Sequence, residues 1–313
     1  MECFSGRENA AAALAAQQRG RYHGCMDNAK PEPEAETTAP APAPGLLARL
    51  TGDIAMMLRF YSRLPVPVFA FEREPHAMPD FSTKAWAVPL AGATIGVIAA
   101  GMGLGALALG LSPLIAAILV IATTVFITGC FHEDGLADSA DGLWGGMTPE
   151  RRLEIMKDSR IGSYGAAALG LSLLLRAAGW SELFRLLDGQ AAWFVIAIAA
   201  ASRTLALVPT QGLEPATAHG LGAKAQKPGE KALGIGLFLS LSLLAGVASA
   251  HHLLVGLVVT ASALVFVLWW ITAMARAKIG GYTGDILGAS QQLIEITLVL
   301  GLVAAAGMTG GIE

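Results

Sequence analysis

Between residues 85 and 132 the chain carries no Asp, Glu, Lys or Arg. Apolar stretches of this kind recur to the C-terminus, parted by short polar loops. A helix needs about 20 mostly apolar residues to cross a bilayer. Val88–Leu111, Leu114–Phe131, Ser163–Trp180, Ala191–Val208, Leu233–Ala250, Leu253–Ala275 and Leu293–Met308 reach or approach that length. The pattern predicts an all-α, polytopic membrane helix bundle of about seven spans. A helix meets its own backbone hydrogen bonds in lipid, and small residues such as those in "GATIGVIAAGMGLGALALG" allow close helix contact. Upstream, "LLARLTGDIAMMLRFYSRLPVPV" places apolar residues at helical spacing among Arg49, Arg59 and Arg63. It predicts an N-terminal amphipathic helix ending near Pro65, lying on the membrane surface or packed on the protein.

The polar loops carry a pattern of their own. With seven spans, the loops after the second, fourth and sixth share a side with the N-terminal segment. They hold Arg151, Arg152, Lys157 and Arg160, then Lys224, Lys227 and Lys231, then Arg276 and Lys278. Positive residues mark the cytoplasmic side. The chain therefore reads as a multi-pass protein of a cell (inner) membrane, with its polar loops gathered on the cytoplasmic face.

Composition supports the bilayer reading. Of 313 residues, 54% are hydrophobic and 14% charged, with a mean hydropathy of +0.57; soluble domains carry about 25% charged residues. The net charge of −3 says little about nucleic acid, and without a basic stripe interleaved with aromatics no nucleic-acid partner is expected. Cys3, Cys25 and Cys130 lie too far apart for a disulfide framework or zinc motif, and Cys130 reads as a small buried apolar residue. Residues 1–45, with "KPEPEAETTAPAPAPG", read as a disordered Pro/Ala-rich leader rather than a secretory signal. Residues 46–313 are expected to form the transmembrane catalytic domain.

The chemistry gathers where the apolar run ends. "FHEDGLADSADGLWGG" places Glu133, Asp134, Asp138 and Asp141 close together. On a helix, Asp134, Asp138 and Asp141 share one face. Such carboxylates repel one another unless a cation lies between them, and hard oxygen ligands suit Mg²⁺. A solvated acidic loop is the bland alternative, but ionisable groups at the mouth of an apolar bundle usually serve function. Next, "TPERRLEIMKDSRIGSYG" reads as a helix capped by Thr148 and begun by Pro149. Its Arg151, Lys157 and Arg160 stand ready for phosphate, as phosphoryl transfer requires. Further on, Asp285 either completes the metal site or caps a helix starting near Ile286. Arg203, near a span's end, needs an anionic partner or a snorkelling route to water. Lys224 lies in a Gly-containing loop that lacks a Walker A ending. His132 is a candidate proton shuttle.

These stretches also carry a family resemblance. "HEDGLADSADG" (132–142) and "RRLEIMKDSRIGSYG" (151–165) resemble the adenosylcobinamide-GDP ribazoletransferase, or cobalamin 5′-phosphate synthase, family. "RFYSRLPVP", "GLGA" (220–223) and "GGYTGDILGASQQLIE" (280–295) are similar too, so the likeness runs from about Leu46 onward. The resemblance implies a membrane-embedded, Mg²⁺-dependent transferase of cobalamin biosynthesis. It would join adenosylcobinamide-GDP to α-ribazole or its 5′-phosphate: a ribose hydroxyl attacks the phosphorus nearer the cobinamide, and GMP leaves. It implies Asp134, Asp138, Asp141 and Asp285 at the metal. Arg151, Lys157, Arg160, Arg203 and Lys224 would face substrate, and His132 or Asp158 would take the proton. The composition is compatible with an oligomer. A CDP-alcohol phosphotransferase is the enzymatic rival, although Asp138 stands where that family has Arg. The other rival is a divalent-cation transporter, which should carry carboxylates near mid-span, where the sequence reading finds none.

Overall fold

The leader expected over residues 1–45 lies, apart from Gly45, outside the residues that the computed structural model describes: 45–72, 74–218 and 220–309. Among these there is no strand, only an isolated bridge between Pro215 and Tyr282. The amphipathic segment forms α1, Leu46–Tyr61. It exposes Leu46 and Leu47 but buries Ala55, Met57 and Tyr61, docking its second half on the bundle. A short helix α2, Phe81–Lys84, is capped by Asp80 and leads through Ala85–Ala87 into α3, Val88–Ala108. Then follow α4, Pro113–Thr128, α5, Phe131–Gly145, α6, Pro149–Ile155, and α7, Ser163–Leu187. Next come α8, Ala191–Leu205, and two single turns, α9, Pro209–Gly212, and α10, Leu221–Lys224. The chain closes with α11, Glu230–Ala250, α12, Leu254–Ile279, and α13, Gly284–Thr309.

Each predicted apolar segment becomes a helix. Phe81–Ala108, Ser163–Gly212, Glu230–Ala250, Leu254–Ile279 and Gly284–Met308 are long and apolar enough to span, and α4 with α5 makes a sixth if that bent pair counts as one. The candidate Ser163–Gly212 takes in both α7 and α8, so five or six candidates accommodate the seven or so segments read from the sequence. At about 1.5 Å per residue, α4 with its 16 residues does not by itself cover a hydrocarbon core of about 30 Å. The small residues act as expected. Along the α3–α8 contact, a side chain on Gly96 would lie 2.8 Å from the Ile196 Cα. Phe126, Leu174, Phe238, Val255, Val259 and Phe266 point outward, as an apolar solvent permits.

The bend between α4 and α5 positions the site. Gly129 and Cys130 both adopt left-handed backbone, with φ of 65° and 62°. This costs glycine little and is uncommon for other residues. The axis turns by 87°, so α5 runs across the bundle instead of continuing α4. Cys130 is thereby exposed at the corner, which corrects its reading as a buried apolar residue.

The polar loops meet at one end of the bundle. Arg152 Nη1 donates to the Lys278 carbonyl at 2.8 Å, and Lys278 Nζ donates to the Leu143 carbonyl at 2.7 Å. Arg276 reaches the Gly212 carbonyl at 2.8 Å, and the Phe81 N–H reaches the Ala225 carbonyl at 3.2 Å. At the other end, Phe194 packs against His251.

Candidate active site at the end of the bundle

Asp134, Asp138 and Asp141 keep the spacing read from the sequence, but their surroundings differ. Asp134 is exposed, Asp138 half-buried and Asp141 buried. Asp134 lines two cavities. It shares one with Asp285, His132 and Arg203, and the other with Asp138, Lys157 and Asp158. The charges of Asp134, Asp285 and Asp141 all act on Asp138. Asp141 is already engaged, for its carboxylate accepts the N–H groups of Gly162 (2.6 Å) and Gly165 (2.8 Å). It thereby holds the start of α7, satisfying backbone donors that a helix N-terminus leaves open.

Asp285 arrives through a close helix crossing. Gly135 of α5 lies against α13, where a side chain on it would come within 2.9 Å of the Asp285 carbonyl and 3.1 Å of the Gly288 Cα. Only a residue without a side chain admits that approach. The cap of α13 is Thr283, whose hydroxyl accepts from the Ile286 N–H (3.3 Å) and donates to Asp285 Oδ2 (3.2 Å). The sequence left open whether Asp285 caps this helix; it does not, and its carboxylate faces the cavity.

Among the described residues, no group of three or more His, Cys, Asp or Glu side chains is drawn together tightly enough to hold a metal ion by itself. The donor set nevertheless suits Mg²⁺, which is commonly bound by one or two carboxylates together with substrate phosphates and water. Asp134 and Asp285 supply such a pair on one cavity wall.

Beneath this face lies a polar network inside the bundle. Arg176 of α7 is fully buried and pairs with Glu133 at 3.0 Å and with Glu295 at 3.6 Å. Gln292 donates to Glu133 (3.2 Å) and to the Gln291 side-chain oxygen (2.9 Å). Gln291 reaches Glu295 (2.9 Å) and Ser202 (3.0 Å), while Ser172 donates to Gln292 (2.9 Å). Because the candidate span runs from Gly284 rather than from Leu293, Glu295 falls within it. The expectation that no acidic residue lies centrally in a span fails there. Sequence reasoning gave these residues no role. The available signal was charged and amide groups inside apolar runs, in "LLLRAAG" and "SQQLIE".

Arg203 does not snorkel. It is 1% exposed, donates Nη1 to the Ala199 carbonyl at 2.9 Å, and feels the charges of Glu295 and Glu133. Its Nε and Nη2 have no hydrogen-bond partner among the described residues. His132 is buried and stacks on Tyr61, with ring centroids 5.9 Å apart. Asp158 forms an exposed pair with Arg160 at 2.6 Å, and that guanidinium lowers its carboxyl to about 2. A carboxylate held so low is a weak proton acceptor at neutral pH. Lys157 lines the cavities of Asp138 and of Asp285. Arg151 is paired with Glu154 on an exposed helix face, and Lys224 is exposed. Neither lines a cavity that holds an aspartate of the site. The helix begun by Pro149 is capped by Thr148 as expected.

Comparison with known proteins extends this picture. Residues 53–303 match the family model described as cobalamin-5-phosphate synthase. A protein of Azorhizobium caulinodans named adenosylcobinamide-GDP ribazoletransferase is 47% identical over 260 residues, covering 83% of this chain and 98% of its own length. Proteins of the same name from Xanthobacter autotrophicus (42%, covering 83% and 99%) and Mesorhizobium japonicum (40%, covering 80% and 93%) are similar too. No solved structure matches the chain. With the family model matched over most of its length, the chain belongs to the cobalamin-5-phosphate synthase family, the adenosylcobinamide-GDP ribazoletransferases.

Proposed function

We propose that this membrane transferase works at the cavities around Asp134, on the cytoplasmic face of the inner membrane. Family membership sets aside the CDP-alcohol phosphotransferase and transporter readings. The substrates are adenosylcobinamide-GDP and α-ribazole or its 5′-phosphate. Asp134 and Asp285, with Asp138 beside them, would hold Mg²⁺. When bound, the ion neutralises charge on the diphosphate and on the departing GMP. Lys157, which lines the cavities of Asp138 and of Asp285, meets the phosphate oxygens. The acceptor's ribose hydroxyl forms the new P–O bond, the bond to GMP breaks, and the hydroxyl proton passes to a nearby base. His132, in the cavity wall with Asp134, is better placed for that proton than Asp158, which Arg160 ties down. Asp141 supports the site by fixing α7 to α5.

The observation that carries this reading is the pairing of Asp134 with Asp285 across the Gly135–Gly288 crossing. It brings carboxylates from two helices far apart in sequence, α5 and α13, to one cavity. The test is GMP release from adenosylcobinamide-GDP by the purified chain with α-ribazole and Mg²⁺. Asp134→Asn and Asp285→Asn should each abolish release while the protein still inserts and folds. Near-normal release by either variant removes that residue from the metal site.

A further inference from the structure

The cavity shared by Asp134 and Asp285 has a second, uncharged wall. Phe60, Tyr61, Phe81 and Phe131 reach it from the end of α1, from α2 and from the start of α5. Phe60 stands edge-on to Phe81 (5.3 Å) and to Phe131 (5.5 Å), and Tyr61 lies parallel to His132. These rings pack edge to face on one another and together form one wall of a space of about 200 Å³. Sites for drug-sized ligands run from about 300 to 1,000 Å³. The space therefore suits one bicyclic ring and is far too small for a corrinoid.

Its polar groups select among bicyclic rings. The Thr210 hydroxyl donates to the Leu207 carbonyl at 2.6 Å, and the Tyr282 hydroxyl to the Gly222 carbonyl at 3.4 Å. Against the aromatic wall a guanine would leave several of its edge donors and acceptors unpaired, because the Asp134 and Asp285 carboxylates of this cavity are assigned to the metal. A dimethylbenzimidazole has an apolar rim and a single free ring nitrogen, which needs one donor. Arg203 lines the same cavity, fully buried, with Nε and Nη2 unpartnered among the described residues.

We propose that this aromatic cavity seats the dimethylbenzimidazole of the ribazole acceptor, with Arg203 donating to the ring's free nitrogen. The ribose then extends toward Asp134 and Asp285, where its hydroxyl meets the diphosphate. This assignment rests on the transferase reading above and gives Arg203 the acceptor base in place of the diphosphate.

The test is equilibrium binding of α-ribazole to the full chain in detergent, without Mg²⁺ or the second substrate. Phe131→Ala and Phe81→Ala should each weaken it roughly tenfold, as loss of a stacking partner does. Arg203→Lys should weaken it as well, while binding of adenosylcobinamide-GDP to the same variants stays unchanged. Free 5,6-dimethylbenzimidazole should compete with α-ribazole on the unaltered protein and should not compete with GDP, a comparison that needs no variant to fold. Unchanged α-ribazole affinity in the variants, competition with GDP, or selective weakening of adenosylcobinamide-GDP overturns the assignment. If GMP release by the unaltered chain persists in that case, the transferase reading stands alone. If the unaltered chain releases no GMP, both fall.

Discussion

Arg176 sits fully buried between Glu133 and Glu295, and each carboxylate depends on it. Removing one member of a buried ion pair leaves an uncompensated charge, at a cost of about 3–5 kcal/mol. Arg176→Leu should therefore lower the thermal midpoint of the detergent-purified protein markedly; an unchanged midpoint would show that the pairs carry no stability. The aspartates divide by the same logic. Asp141→Ala strips two backbone N–H groups of their acceptor, each costing about 1–3 kcal/mol if left unpaired. It should destabilise the protein, whereas Asp285→Asn should leave the midpoint intact and remove turnover. Equal midpoints for the two would contradict that division. The acidic face was legible in the sequence because Asp134, Asp138 and Asp141 repeat at helical spacing. The engagement of Asp141 was not, since its partners lie beyond an intervening helix. Nor was the pairing of Arg176 with Glu295, because a sequence shows a costly charge without showing what answers it.

At the scale of elements, the crossing of α5 and α13 builds the site. Gly135→Val would press a branched side chain against the Asp285 carbonyl and the Gly288 Cα. Overpacking of this kind costs about 1–3 kcal/mol and would part Asp134 from Asp285. Turnover should fall by about tenfold or more, a factor worth about 1.4 kcal/mol, with the protein still in the membrane. Wild-type turnover would show that the close approach is dispensable. Apolar length and caps made the helices readable, down to Thr148 before Pro149. Their angles were not readable. The 87° turn at Gly129–Cys130 sets α5 across the bundle, and nothing in an apolar run before a carboxylate cluster marks a corner. The start of α13 was readable to within two residues, near Ile286 against Gly284, but "GGYTG" reads as a turn and concealed that Thr283 is the cap.

At the scale of the whole molecule, the basic loops and the aspartates occupy one end of the bundle, tied together through Arg152, Lys278 and Arg276. Sequence parity reached the same grouping with about seven spans, and the candidate Ser163–Gly212 fits it because it holds both α7 and α8. A reporter inserted after Gly146 should be cytoplasmic, as nucleotide substrates require, and periplasmic labelling would reverse the orientation. The account's central claim is that Asp134 and Asp285 grip a divalent ion that grips the diphosphate. Its most direct test is Mn²⁺ binding to the purified chain in the presence of adenosylcobinamide-GDP, followed by electron paramagnetic resonance. The account predicts stoichiometric binding that Asp134→Asn and Asp285→Asn each abolish; variants that bind Mn²⁺ as the unaltered chain does would contradict it.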